Sequence, residues 1–165
     1  MNKVISWLAD RVANEKSVIT RSWENIPYLT RWVLLGSRTE SRIFGRDCAV
    51  HLHHFHRSDA DEMHDHPWPF VSIILSGGYW EKTPSAGWKD GDGPTKLRWY
   101  GPSRVLIRPA SWIHSVILSP GCEATTLVFR GVKAKSWGFF CQNRGYISWR
   151  KHAVNAERTG SGCAS

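Results

Sequence analysis

No apolar run in this sequence approaches the roughly 20 residues a helix needs to cross a bilayer, which excludes a helical membrane anchor. The stretch Met1–Ile5 has no signal-like apolar core and soon meets Asp10 and Arg11, so the expected location is the cytoplasm. Cysteine is sparse. Cys48, Cys122, Cys141 and Cys163 form no C-x-x-C pair, which argues against a structural zinc knuckle. In a reducing compartment they read as free thiols. Lys and Arg are scattered and never form a basic run, so nucleic acid is a disfavoured partner. Internal repeats and low-complexity tracts are missing as well.

What is present is the composition of one globular domain of 165 residues, with 41% apolar and 22% charged positions. Its excesses are more specific. There are ten Trp and eight His, and 22 Lys+Arg face 14 Asp+Glu for a net charge of +8. That balance favours anionic partners, either a small anionic substrate or a nucleotide.

Val4, Ile5, Leu8 and Val12 recur near helical spacing with Trp7 beside them, which predicts an N-terminal amphipathic helix within residues 1–20. From Tyr28 the pattern changes to short β-branched and aromatic runs broken by turn signals such as Ser76-Gly77-Gly78 and Ser119-Pro120-Gly121. The predicted strands are Tyr28–Leu35, Ala49–Phe55, Phe70–Leu75, Tyr79–Lys82, Leu97–Trp99, Val105–Ile107, Ser115–Leu118, Thr125–Arg130, Ser136–Phe140 and Tyr146–Trp149. Many short strands without intervening helices predict an all-β sandwich or barrel over 28–150. The small polar end, 158–165, is expected to be a flexible tail.

Six histidines fall between positions 51 and 66, and His114 lies 48 residues beyond the last of them. His64 and His66 stand at i and i+2, so on an extended strand both rings point to one face and reach a single ion. One strand cannot supply three converging ligands. His114, from a distant strand after Arg108-Pro109, supplies the third point of a facial site. Asp65 is expected to point the other way, and Glu62 shares parity with the two histidines as a possible carboxylate ligand. Upstream, His54 and His56 share one face and His51 and His53 the other. One pair is expected to border the pocket, and His54 and His56 are carried as its candidates.

The segment around His64, Asp65 and His66, with glycines at 77 and 78 and then Pro109 and His114, resembles the cupin superfamily over roughly residues 48–140. The resemblance implies a jelly-roll barrel, a cupin metal site and, as a mild expectation, a homodimer. The sequence departs from the family pattern at Phe70 and Val71, where the acidic ligand belongs, and at Ser111 and Leu118 in the second motif. The run HDHPWPFVSIILSGGYWE is similar to the first motif of the three-histidine thiol dioxygenases, the cysteine dioxygenase type. Val71 occupies the position of their cross-linking cysteine, so that feature is absent. The segments 53–59 and 137–149 resemble small uncharacterised cupins of bacteria and their phages.

Three neutral imidazoles leave a divalent metal its full charge and open positions, which suits an anionic bidentate substrate together with dioxygen. One divalent metal is expected, Fe(II) ahead of Mn, Ni or Zn. Arg108 and Arg104 are candidates to hold a carboxylate or phosphate, and Tyr79 is a candidate pocket phenol. The leading expectation is thus an Fe(II) oxygenase acting on a small carboxylate or thiol. The alternatives are a non-redox cupin that binds a nucleotide or sugar phosphate, and a metal-dependent sugar isomerase or epimerase with His54 or His56 as base.

Overall fold

The computed structural model describes residues 3–20, 26–36, 42–43, 46–59 and 62–164. A first helix, α1 (Lys3–Val12), leads into β1 (Glu15–Thr20), β2 (Pro27–Leu35), the two short pieces β3 (Arg42–Ile43) and β4 (Arg46–Asp47), and β5 (Ala49–Phe55). There follow β6 (Met63–His64), β7 (Phe70–Ser76), β8 (Tyr79–Pro84), β9 (Thr95–Tyr100), β10 (Val105–Arg108) and β11 (Ser115–Ile117). The chain ends with β12 (Ala124–Arg130), β13 (Gly138–Cys141), β14 (Gly145–Ser148) and a second helix, α2 (Trp149–Thr159).

One antiparallel sheet has the order β1-β2-β5-β12-β7-β10. Opposite it lie two three-stranded sheets, β11-β8-β9 and β14-β13-β6. The core joins the layers: Leu29, Phe55, Ile74, Leu106 and Ala124 from the large sheet pack with Tyr79, Val116 and Leu118. This is the expected jelly roll. Side-chain alternation then dictates what each face carries. Arg31 pairs with His53 and His53 with Thr126, in register with the core pairs Leu29–Phe55 and Phe55–Ala124, so all three share the inward face. The opposite face of β2 and β5 presents Trp32 and Leu52, which α1 covers with Ala9.

Three parts of the chain differ from expectation. The N-terminal helix ends at Val12, and residues 15–20 form an edge strand, EKSVIT, whose two apolar residues are adjacent and give no alternating signal. Beyond Ser148 the chain is helical, because α2 buries His152, Asn155 and Ala156, a mostly polar face that hides its amphipathic period. Gly160, with φ 75°, closes that helix through a hydrogen bond to Ala156 O. Cys163 then forms a disulfide with Cys141, so two of the four expected free thiols are bonded. Cys48 and Cys122 are free. No helix among the described residues is long and apolar enough to cross a membrane.

Candidate metal centre

Backbone pairing, not side-chain packing alone, sets the positions of the three histidines. The His64 N–H donates to His114 O at 2.8 Å and the His114 N–H returns the bond to His64 O at 3.0 Å, so two distant stretches lie side by side. Two residues on, the His66 N–H donates to Ala110 O at 3.2 Å. The three rings converge with centroids 5.0 to 5.2 Å apart. One donor nitrogen from each lies within 4.8 Å of the others, and Nε2 of His66 is 2.9 Å from Nε2 of His114. Burial holds the His64 imidazole down at about 4 and that of His66 well below its usual range, so both rings are neutral at pH 7. Neutral imidazole is the form that binds a metal.

Behind His114 stands Glu81, a residue the sequence reading overlooked. Its Oε1 is 2.8 Å from His114 Nδ1, which leaves Nε2 to face His66. Arg108 grips the same carboxylate with two bonds, Nε to Oε1 at 3.2 Å and Nη2 to Oε2 at 2.6 Å, and Trp112 Nε1 donates to Oε1 at 3.2 Å. Burial by itself would raise the Glu81 carboxyl, but the bonds from His114 and Arg108 outweigh it and bring it down to about 2. A fixed anion hydrogen-bonded to a ligand imidazole is the usual outer support of a histidine metal site. The inward position of Glu81 on β8, two residues after Tyr79, was the available signal.

The other sequence candidates are distributed differently. The Arg108 guanidinium is engaged by Glu81 and by the Tyr100 hydroxyl, at 3.2 Å, and packs over Trp112. Arg104 lies before β10, not on it, and is exposed. Tyr79 faces inward but sits in the apolar core, and burial pushes its phenol up. His54 and His56 lie on the face of β5 opposite the core residue Phe55 and are not brought to the three histidines. Glu62 groups with His152 and Cys163 instead. Asp65 points away as expected, accepting from Gly138 N at 2.9 Å and pairing with Lys135.

The inward pair of β5 is His51 and His53. Arg31 Nε donates to His53 Nε2 at 3.1 Å, and the Arg31 charge further lowers His66. Burial lowers His53 well below its ordinary value, with the Arg31 charge adding to the effect. On the same face, His51 Nε2 and Thr126 Oγ1 are buried without a hydrogen-bond partner. The interior near the three histidines is therefore polar, with a cation at Arg31, and Phe70 and Phe139 rest against His66 and His64. The donor chemistry fits a divalent metal: three neutral nitrogens converge, and one has its remote N–H tied to a carboxylate.

No protein-family model matches this chain, and no curated protein is similar to it in sequence. Solved structures are similar in fold. The polyketide cyclase RemF from Streptomyces resistomycificus superposes with a TM-score of 0.54 at 14% identity, covering 88% of this chain and 97% of its own. Fe(II) HppE gives 0.51 at 13% identity over 71% of this chain, which spans only 57% of the HppE chain. The DMSP lyase DddQ from Ruegeria pomeroyi DSS-3 gives 0.51 at 16% identity, covering 86% of this chain and 63% of that one. These are cupin-type folds, and this chain has the same jelly-roll architecture.

Proposed function

We propose that this cupin-fold chain is a mononuclear non-haem Fe(II) enzyme of the oxygenase type, acting in the cytoplasm on a small carboxylate or thiol substrate. The observation that carries the reading is the convergence of His64, His66 and His114 with no carboxylate donor in their group among the described residues. A metal held by three neutral nitrogens keeps its whole dipositive charge, which favours an anionic ligand in the remaining positions. When bound there, iron would supply Lewis acidity and a site for dioxygen. The similar fold of Fe(II) HppE supports iron ahead of Mn, Ni or Zn.

The protein's own residues would bind and orient. His64, His66 and His114 would hold the ion, and Glu81 would fix the His114 tautomer. Arg31, donating to His53, would anchor the substrate anion by charge-assisted hydrogen bonds. Phe70 and Phe139 would keep water from the ligand rings. In the anaerobic protein loaded with Fe(II), admission of oxygen should lead to oxygen uptake that depends on one member of a carboxylate and thiol panel. Iron-loaded protein that consumes no oxygen with any of them overturns the oxygenase reading.

A non-redox reaction, such as isomerisation of an anionic sugar, is the second reading. Its specific support is Arg31, whose guanidinium on the inward face beside His53 would hold the anionic group of such a sugar. Turnover without oxygen in the same panel, extended to sugar phosphates, separates the two.

A further inference from the structure

The outer face of the large sheet is covered over only half its width. α1 lies across β2 and β5, where Ile5 and Ala9 pack on Trp32 and Leu52 and Asp10 accepts from Lys16 and Trp32. The other half, β12-β7-β10, is open among the described residues. Register pairs Val71 with Ile107 and Phe129, and Ile73 with Val105 and Leu127, all on the side opposite the core residues Ile74 and Leu106. No outward position of these three strands is charged. Val105 is 56% exposed and Ile107 73%, and Leu75 and Phe129 are exposed as well. Apart from Ser72, residues 70–75 are apolar on both sides of the strand, the pattern of a strand covered on both faces.

The helix carries a second bare apolar surface. Of the four residues whose spacing marks it as amphipathic, only Ile5 packs on the sheet. Val4, Leu8 and Val12 form an exposed stripe with Trp7, and Val4 and Val12 are each 61% exposed. A helix that is apolar on both sides is one that is covered on both sides. α1 also stands about 10 Å, one helix diameter, above the open half of the sheet. A flat surface resting on α1, such as a bilayer, would not reach Ile107. A second copy of the chain does, because it brings a raised helix of its own. The spacing fits: β7 lies two to three strands from the middle of the β2–β5 pair, or roughly 12 Å, the width of one helix.

We propose that the outer face of the large sheet is a homodimer interface, in which α1 of each copy lies on the open half of the other copy's sheet. A two-fold axis parallel to the strands, passing between β5 and β12, produces this arrangement. It exchanges the covered half with the open half, so that two sheets enclose two helices side by side. The contact is isologous and closes at two copies. Four exposed side chains of α1, with Leu75, Val105, Ile107 and Phe129, present on the order of 800 Å² per copy, the area a stable interface removes from each partner. The three-histidine centre lies inside the barrel, away from this face, so the dimer and the metal reading stand or fall separately.

Sedimentation velocity of the full chain at micromolar concentration should show a dimer. Leu8→Lys and Ile107→Glu change side chains that are exposed in the single chain, so each variant should keep the wild-type far-UV circular dichroism. Each should also raise the dimer dissociation constant by about 100-fold or more, because the symmetry buries its charge twice. Mixed in equal amounts, the two variants should recover the dimer. One helix-on-sheet contact of the mixed pair is then wild type, and the other sets the new ammonium against the new carboxylate. A monomeric wild-type chain overturns the proposal, as does a dimer that both variants leave intact or a mixture that stays monomeric. So does a monomer that floats with phosphatidylserine vesicles and is released by Leu8→Lys, the behaviour of a membrane-surface helix.

Discussion

Glu81 Oε1 lies 2.8 Å from Nδ1 of His114, and that bond sets which nitrogen of the ring faces His66. Glu81 is also the counter-ion of the nearly buried Arg108. One carboxylate thus links the chemistry of the centre to the stability of the barrel, and the two roles can be separated.

Glu81→Gln should lower affinity for the metal by about 10- to 100-fold, since the ligand ring loses its charged support. It should also destabilise the fold by about 3 kcal/mol, because Arg108 becomes an uncompensated, poorly solvated charge. Adding Arg108→Met should restore much of the stability and none of the metal affinity. Chelator competition and urea unfolding on the two variants measure the effects independently.

Arg31→Met should raise KM for the substrate found in the oxygen-uptake panel by about 10- to 100-fold, the loss expected for charge-assisted hydrogen bonds to an anion. Metal affinity should be unchanged, and Arg31→Lys should recover part of the loss. An effect confined to kcat would place the anion elsewhere.

The placement of Arg31 beside His53 on the inward face shows where sequence reading runs out. His64, His66 and His114 were legible because two of them share strand parity and the third follows a proline-marked turn. The strands carrying Arg31 and His53 were also legible, at Tyr28–Leu35 and Ala49–Phe55. Which of their faces points inward depends on the register of β2, β5 and β12, a long-range property that alternation alone leaves open. Arg108 drew attention through its nearness to His114 along the chain, yet its guanidinium is bound to Glu81. The polar buried face of α2 and the mostly polar sequence of β1 concealed those elements for the same reason: apolar periodicity was the signal, and they carry little of it.

His51 should make stability depend on pH. Burial lowers its imidazole from the usual 6.5 to about 4, so between these values the unfolded chain binds a proton that the folded chain refuses. The stabilisation is complete above about pH 6.5 and lost as pH falls through about 4, for a total of about 3 kcal/mol. Urea unfolding from pH 7 down to 4 should show this decline, and His51→Leu should flatten it by about one proton. An unchanged slope in that variant would mean His51 is protonated in the folded protein.

The Cys141–Cys163 disulfide closes a loop of sequence separation 22 and ties the segment after α2 to β13. Loop entropy gives it about 3 kcal/mol. A cytoplasmic location would keep these thiols reduced, which makes the bond a sensitive point. Cys163→Ser should lower the midpoint of unfolding in oxidising buffer and have no effect in dithiothreitol. Equal midpoints in both buffers would show that the bond contributes nothing.

Anomalous diffraction from crystals soaked anaerobically in Fe(II), collected at the iron edge, tests the central assignment most directly. The expected result is a peak about 2.0–2.2 Å from one nitrogen each of His64, His66 and His114, which disappears in His114→Ala. Iron bound only elsewhere, with these three rings unligated, would contradict it.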